Sequence, residues 1–217
     1  MNLGKAALLA VLPFALAPLA HAQGAVYGMV TAQNLGSLTY STVGRGTANI
    51  LTTHTDGSFS PIGGTGGAYY DFRNIGRVRL GIDLRGSIAS SSHGADPTST
   101  GSGGRLYTAM GGLRATFPTR YKLLAPFVQG SVGFARTDAG RTPNASVNTA
   151  LPFQNGRVVI DHGIAYQGFA GLDLRALPVM DIRIAEFGIG AISGITNQSG
   201  THLLQSVGVG LVFHFPN

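Results

Sequence analysis

Apolar residues recur at every second position from Val78 to Ile88, and most of the residues between them are charged or tiny. Successive side chains of a β-strand point to opposite faces, so Val78, Leu80, Ile82 and Leu84 share one face while Arg79, Asp83 and Arg85 share the other. A strand that is oily on one side and ionic on the other suits a rolled sheet with hydrocarbon outside and a polar hollow. Reading the chain for such segments gives eight: about 26–35, 62–72, 77–90, 105–117, 124–137, 158–175, 181–193 and 202–215.

The connections alternate in length. Those over 36–61, 91–104 and 138–157 are long, whereas those at 73–76, 118–123 and 176–180 are short. Short turns at one rim and long loops at the other predict an all-β fold, an eight-stranded antiparallel up-and-down transmembrane barrel. Strand four supplies a length check. Tyr107 and Phe117 share one face ten residues apart, which at ~3.3 Å per residue and a ~40° tilt is roughly 25 Å along the barrel axis. That is the spacing of two aromatic girdles, with Phe72, Phe117, Phe213 and Phe215 at the periplasmic one and Tyr107, Phe134 and Tyr166 at the outer one.

Composition agrees. The 33 glycines disfavour helices, since Gly costs about 1 kcal/mol relative to Ala inside one. Mean hydropathy is positive at +0.20. Past residue 22, however, no stretch long enough for a membrane helix is free of charged or strongly polar residues. The opening residues differ. Lys5, an apolar run from Ala6 to Leu19 and the small-residue pattern Ala20-His21-Ala22 describe an export signal cleaved after Ala22. Removal of 22 of the 217 residues leaves 195, one domain over 23–217. Cysteine is absent, which excludes disulfides, thiolate metal sites and lipoprotein anchoring.

Loss of Lys5 lowers the formal charge from +6 to +5, and thirteen of the cations are arginines. Several alternate with apolar residues inside strands instead of clustering, so nucleic acid is not expected as a partner. On the lumen parity lie Arg79, Asp83, Arg85, Arg114, Asp173, Arg175 and Arg183. Eight strands enclose a space that side chains roughly fill, so these predict an arginine–carboxylate network plugging the barrel. Glu186 breaks the alternation, falling on the lipid parity while Phe187 falls on the lumen parity. A β-bulge near Ala185 would exchange the two and turn Glu186 inward.

The last strand, Val207-Gly208-Val209-Gly210-Leu211-Val212-Phe213-His214-Phe215, resembles the C-terminal strand of small bacterial outer-membrane barrels, the OmpA-type transmembrane domain and its relatives. Their insertion signal has a Gly followed by alternating hydrophobic residues ending in an aromatic, and Gly210, Phe213 and Phe215 match it. Pro216-Asn217 after the aromatic, and Gly208 where a polar residue is favoured, depart from it. The stretches GGTGGAYYDFRNIGRVRLGIDLRGS, APFVQGSVGF and GLDLRALPVMDIRIAEFGIG look like uncharacterised single-barrel outer-membrane proteins of Gram-negative bacteria. The resemblance implies recognition by the barrel assembly machinery. Full OmpA-type proteins carry an appended peptidoglycan-binding domain; the expectation here is the barrel without it.

Chemistry beyond the charges is sparse. His162 and His202 lie near the outer rim, where an acyl-modifying enzyme would keep its base, but nothing in their spacing sets either beside a nucleophile. No metal-ligand spacing is present. Gly63-Gly64-Thr65-Gly66-Gly67 lacks the Lys-Ser/Thr and helix of a phosphate loop. The expectation is therefore a monomeric outer-membrane protein without cofactor or enzymatic activity, with a structural or surface-interaction role. Its outer arginines, Arg45, Arg105, Arg136, Arg141 and Arg157, are expected to pair with phosphates of outer-membrane lipid and lipopolysaccharide. A narrow solute or ion channel and a lipid-modifying enzyme are the alternatives. Mass spectrometry of the exported protein should find its N terminus at or beside Gln23.

Overall fold

The computed structural model describes residues 23–36, 39–43, 51–55, 59–91, 104–119, 123–141, 158–194 and 201–215. The expected export signal and its cleavage site lie outside them. Ten strands form: β1 (Gln23–Leu35), β2 (Thr39–Val43), β3 (Leu51–Thr55), β4 (Ile62–Ile75), β5 (Val78–Ser90), β6 (Arg105–Thr116), β7 (Leu124–Arg141), β8 (Val158–Leu177), β9 (Met180–Ser193) and β10 (Thr201–His214). Eight of them close into an antiparallel barrel in the order β1-β10-β9-β8-β7-β6-β5-β4. Closure leaves no sheet edge, so every strand of the wall is paired on both sides.

Two connections differ from expectation. The stretch 36–61 is not wholly loop, because β2 and β3 pair as a separate two-stranded ribbon. Both are rich in β-branched residues, Thr and Val in β2 and Thr alone in β3, which favour extended backbone even without an apolar alternation to advertise it. The turn expected over 73–76 is tighter and later. Strand β4 continues to Ile75, which pairs with Val78. The reversal is made by Gly76 and Arg77, with Gly76 at φ +60°, a conformation costly for residues bearing a Cβ. A bulge at Phe72 absorbs the difference.

The outer wall is a continuous apolar belt. Val30, Ile82, Leu84, Leu113, Val132, Ile164, Ile189 and Val209 all point outward and are exposed. In water a patch of this size would be a severe liability, whereas acyl chains satisfy it. Phe72, Phe117, Phe213 and Phe215 project outward at the short-turn end, and Phe134 and Tyr166 toward the long-loop end. Gly210 faces inward at the β10–β1 seam, where a Cβ would strike the carbonyl of Gly28.

The interior is layered. Toward the long loops it is apolar: Leu35, Phe59, Leu106, Ile192 and Leu204 meet there, each almost wholly buried. The expectation of a polar hollow fails at this level. Phe59 reaches the layer from outside the regular wall, through a two-way backbone bridge with Leu35. Beneath it lies a hydroxyl and amide layer, with Thr31 bonded to Thr65 at 2.9 Å and Gln33 to Ser87 at 3.0 Å. Below that sit the charges. Leu84→Arg, at mid-height of the apolar belt, should lower stability in lipid vesicles by about 2–4 kcal/mol, and Ser90→Arg near the rim by about 0–1 kcal/mol, as read from denaturant titration of the refolded protein.

Candidate functional site in the barrel lumen

Six ionised side chains meet in the lumen: Asp83 and Arg85 from β5, Arg114 from β6, Asp173 from β8, and Arg183 and Glu186 from β9. They form an unbroken chain of alternating sign. Arg85 Nε lies 3.2 Å from Asp83 Oδ1, and its Nη1 lies 2.7 Å from Glu186 Oε1. Glu186 Oε2 accepts from Arg183 Nη1 at 2.8 Å. Arg183 grips Asp173 with two parallel contacts, Nε to Oδ1 at 2.8 Å and Nη2 to Oδ2 at 3.2 Å. Asp173 Oδ2 also accepts from Arg114 Nη2 at 2.8 Å. Three cations face three anions, so the set is neutral.

Strands β5 and β9 are four places apart in the eight-membered ring. The Arg85–Glu186 pair therefore spans the full diameter of the lumen. All six side chains are buried, with Arg183 at 0% and Arg114 and Asp83 at 1% exposure. In so dry a place a lone charge would be prohibitive, and each is instead paired and hydrogen-bonded.

The bulge positions Glu186. On β8 Leu172 faces Ala185 and Asp173 faces Arg183, while on β10 Gly208 faces Glu186 and Gly210 faces Arg183. Ile184 and Ala185 thus occupy the space of one residue. Arg183 and Glu186 both point inward as a result, and Phe187 turns out to the belt with 61% exposure.

Neutral groups complete the site, and sequence reasoning did not name them. Tyr27 donates its hydroxyl to Asp83 at 3.0 Å. Gln129 donates to Asp83 at 2.7 Å and accepts from Arg85 at 3.0 Å. Aromatic rings flank every guanidinium: Arg85 lies 3.8 Å from the Phe169 ring, Arg114 sits between Tyr69 and Phe127 at 4.1 and 3.8 Å, and Arg183 between Tyr27 and Phe127 at 4.6 and 4.4 Å. Cation–π contacts gain strength in desolvated surroundings. Gly171 makes room for the Phe127 ring, which a Cβ there would strike. Inward parity shared with the arginines was the available signal for all four rings.

Two expected members stand apart. Arg79 and Arg175 occupy the lumen parity but lie at the short-turn mouth, where water reaches them. Arg79 pairs with Asp71 at 3.7 Å, and Arg175, half exposed, approaches Asp181 at 3.9 Å. Asp181 also contacts His214 at 2.7 Å. Parity fixes the face of a residue and not its depth. At the opposite rim, Arg105 and Arg136 are exposed. Arg141 ends β7, while Arg45 and Arg157 lie outside the described residues. His162 points outward and His202 inward, so the barrel wall separates the two histidines. Among the described residues no cluster of His, Cys, Asp or Glu could hold a metal ion.

No protein-family model matches the chain, and no curated protein matches it. Among solved structures it is similar to neisserial surface protein A, with 13% identity over 87% of this chain and 97% of that one and a TM-score of 0.51. Weaker likenesses are to Ail of Yersinia pestis crystallised with the heparin analogue sucrose octasulfate (12% identity, 89% and 99% covered, TM-score 0.46) and to the outer membrane protein OprG from Pseudomonas aeruginosa (9% identity, 90% and 96% covered, TM-score 0.46). The likeness to neisserial surface protein A is one of fold.

Glu186→Gln strands one positive charge among Arg85 and Arg183 and should cost about 3–5 kcal/mol, seen as a lower denaturant midpoint in vesicles. Arg85→Met with Glu186→Leu removes one charge of each sign and should recover most of that loss.

Proposed function

We propose that the protein is an integral barrel of a Gram-negative outer membrane, with a non-enzymatic structural or surface-interaction role and a plugged lumen. The observation that carries this reading is the neutral chain of six buried ions across the lumen, roofed by the apolar layer around Phe59. Ions crossing the barrel would have to break charge-assisted pairs and then pass a dry constriction, and neither step has a compensating partner. The outward apolar belt and the closed sheet support a bilayer location. An export signal at residues 1–22, as the opening sequence predicts, fits the same compartment, reached through the barrel assembly machinery with Gly210, Phe213 and Phe215 as its signal.

With the lumen filled, interaction falls to the outer rim. Arg105 and Arg136, with Arg45, Arg141 and Arg157 in or beside the long loops, suit the phosphates of lipopolysaccharide, which guanidinium forks bind in charge-assisted pairs. Purified protein inserted into planar bilayers should give no steady conductance steps, while migrating on detergent gels as a heat-modifiable band. Stable steps from the unaltered protein would replace this reading with the channel.

A further inference from the structure

A hollow of the outer wall lies on its lipid-facing side, in the half toward the long loops. It has a volume of about 660 Å³ and runs over β4 to β8. Strand pairing gives its anatomy. Gly66 faces Gly86, Gly86 faces Ala109, and Ala109 faces Phe134, so three neighbouring strands present almost no side chain along one row. The next row toward the loops runs Ile88, Tyr107, Arg136, His162, each directly opposite the next. A trough floored by backbone and walled by Ile88 and Phe134 therefore opens beneath a ridge carrying an arginine and a histidine. A second hollow, over Leu84, Gly111 and Val132, continues it toward mid-height.

The floor glycines are not required by the barrel itself. A Cβ on Gly86 would find its nearest neighbour at 3.7 Å and one on Gly66 at 3.8 Å, ordinary contacts, and neither has positive φ. Inward glycines behave oppositely, since a Cβ on Gly112 or Gly133 would collide with the backbone of the next strand. Gly28, Gly130 and Gly168 are equally unhindered on the outer face, so what singles out Gly66 and Gly86 is that they adjoin Ala109 to form one bare floor beside an arginine, a setting that admits close approach by a ligand. Arg136 narrows what that is. It projects toward lipid at the level of the outer aromatic girdle and has no ion-pair partner among the described residues. A guanidinium at that depth requires an anion, which the headgroup layer supplies as phosphate.

We infer that this trough is a binding site for a phosphorylated acyl glycolipid of the outer leaflet, one acyl chain lying over Gly66, Gly86 and Ala109 and the phosphate held by Arg136. The inference rests on the outer-membrane reading above and gives its lipid contact a discrete place. Native mass spectrometry of the folded protein in detergent, titrated with diphosphorylated lipid A, tests it. One lipid should be retained per barrel. Arg136→Gln and Gly86→Leu should each weaken retention about tenfold or more, as should removal of the lipid's phosphates. Gly168→Leu, outward on β8 with its nearest Cβ neighbour at 3.8 Å, should leave retention unchanged. Equal retention by the Arg136 and Gly86 variants, or of dephosphorylated lipid or phosphatidylethanolamine, overturns the site. A heat-modifiable, bilayer-inserted protein that retains no lipid overturns the trough alone, whereas failure to insert overturns the membrane reading beneath it.

Discussion

The constraint on which the rest depends is electroneutrality inside a closed, dry wall. In the proposed bilayer setting, with hydrocarbon outside and a hollow that side chains fill, an ion facing inward must find its counter-ion inward as well. Asp83, Arg85, Glu186, Arg183, Asp173 and Arg114 meet this as a single alternating chain. Arginine suits the cationic positions better than lysine, because a planar guanidinium can grip a carboxylate edge-on while its faces rest on aromatic rings. Both uses occur together at Arg183, which grips Asp173 with two nitrogens while rings of Tyr27 and Phe127 flank it.

That chain closes only because β9 carries one residue too many. Glu186 is the single glutamate of the sequence, and it bridges two arginines, one on its own strand and one across the lumen. In regular register its carboxylate would face acyl chains and Phe187 would crowd the ionic layer. Doubling Ile184 and Ala185 against Val209 corrects both errors at once. The bulge is thus the backbone counterpart of the charge balance, a local irregularity that satisfies the two sides of the wall together.

What could be read from the sequence follows from what alternation encodes. Period two assigns each residue to a face, so the eight wall strands, the inward ions and even the bulge were legible, the last as a parity conflict between Glu186 and Phe187. Depth along the barrel is not encoded, which is why Arg79 and Arg175 read like the central arginines and yet sit at the mouth with Asp71 and Asp181. Parity places Tyr27, Tyr69, Phe127 and Phe169 on the same inner face as the arginines, but it does not show which ring each guanidinium meets. The apolar layer was hidden for a further reason. Phe59 belongs to no strand, and its position depends on the chain after β3 returning to pair with Leu35.

The two faces of the wall use glycine for different ends, and the contrast bears on where the protein meets other molecules. Inward glycines such as Gly112 and Gly133 are fixed by the next strand's backbone, and Gly171 by the Phe127 ring, so they serve packing. Outward ones such as Gly66 and Gly86 answer to no neighbour within the chain. A strand position that gives up side-chain burial and β-propensity without an internal reason is a loss to stability, which the lipid proposed for the trough would offset. The arginine that caps this bare floor has no ion-pair partner among the described residues. Two kinds of incompleteness, one of shape and one of charge, adjoin on the same outer surface, whereas inside the barrel rings and counter-ions surround the three central guanidinium groups of Arg85, Arg114 and Arg183.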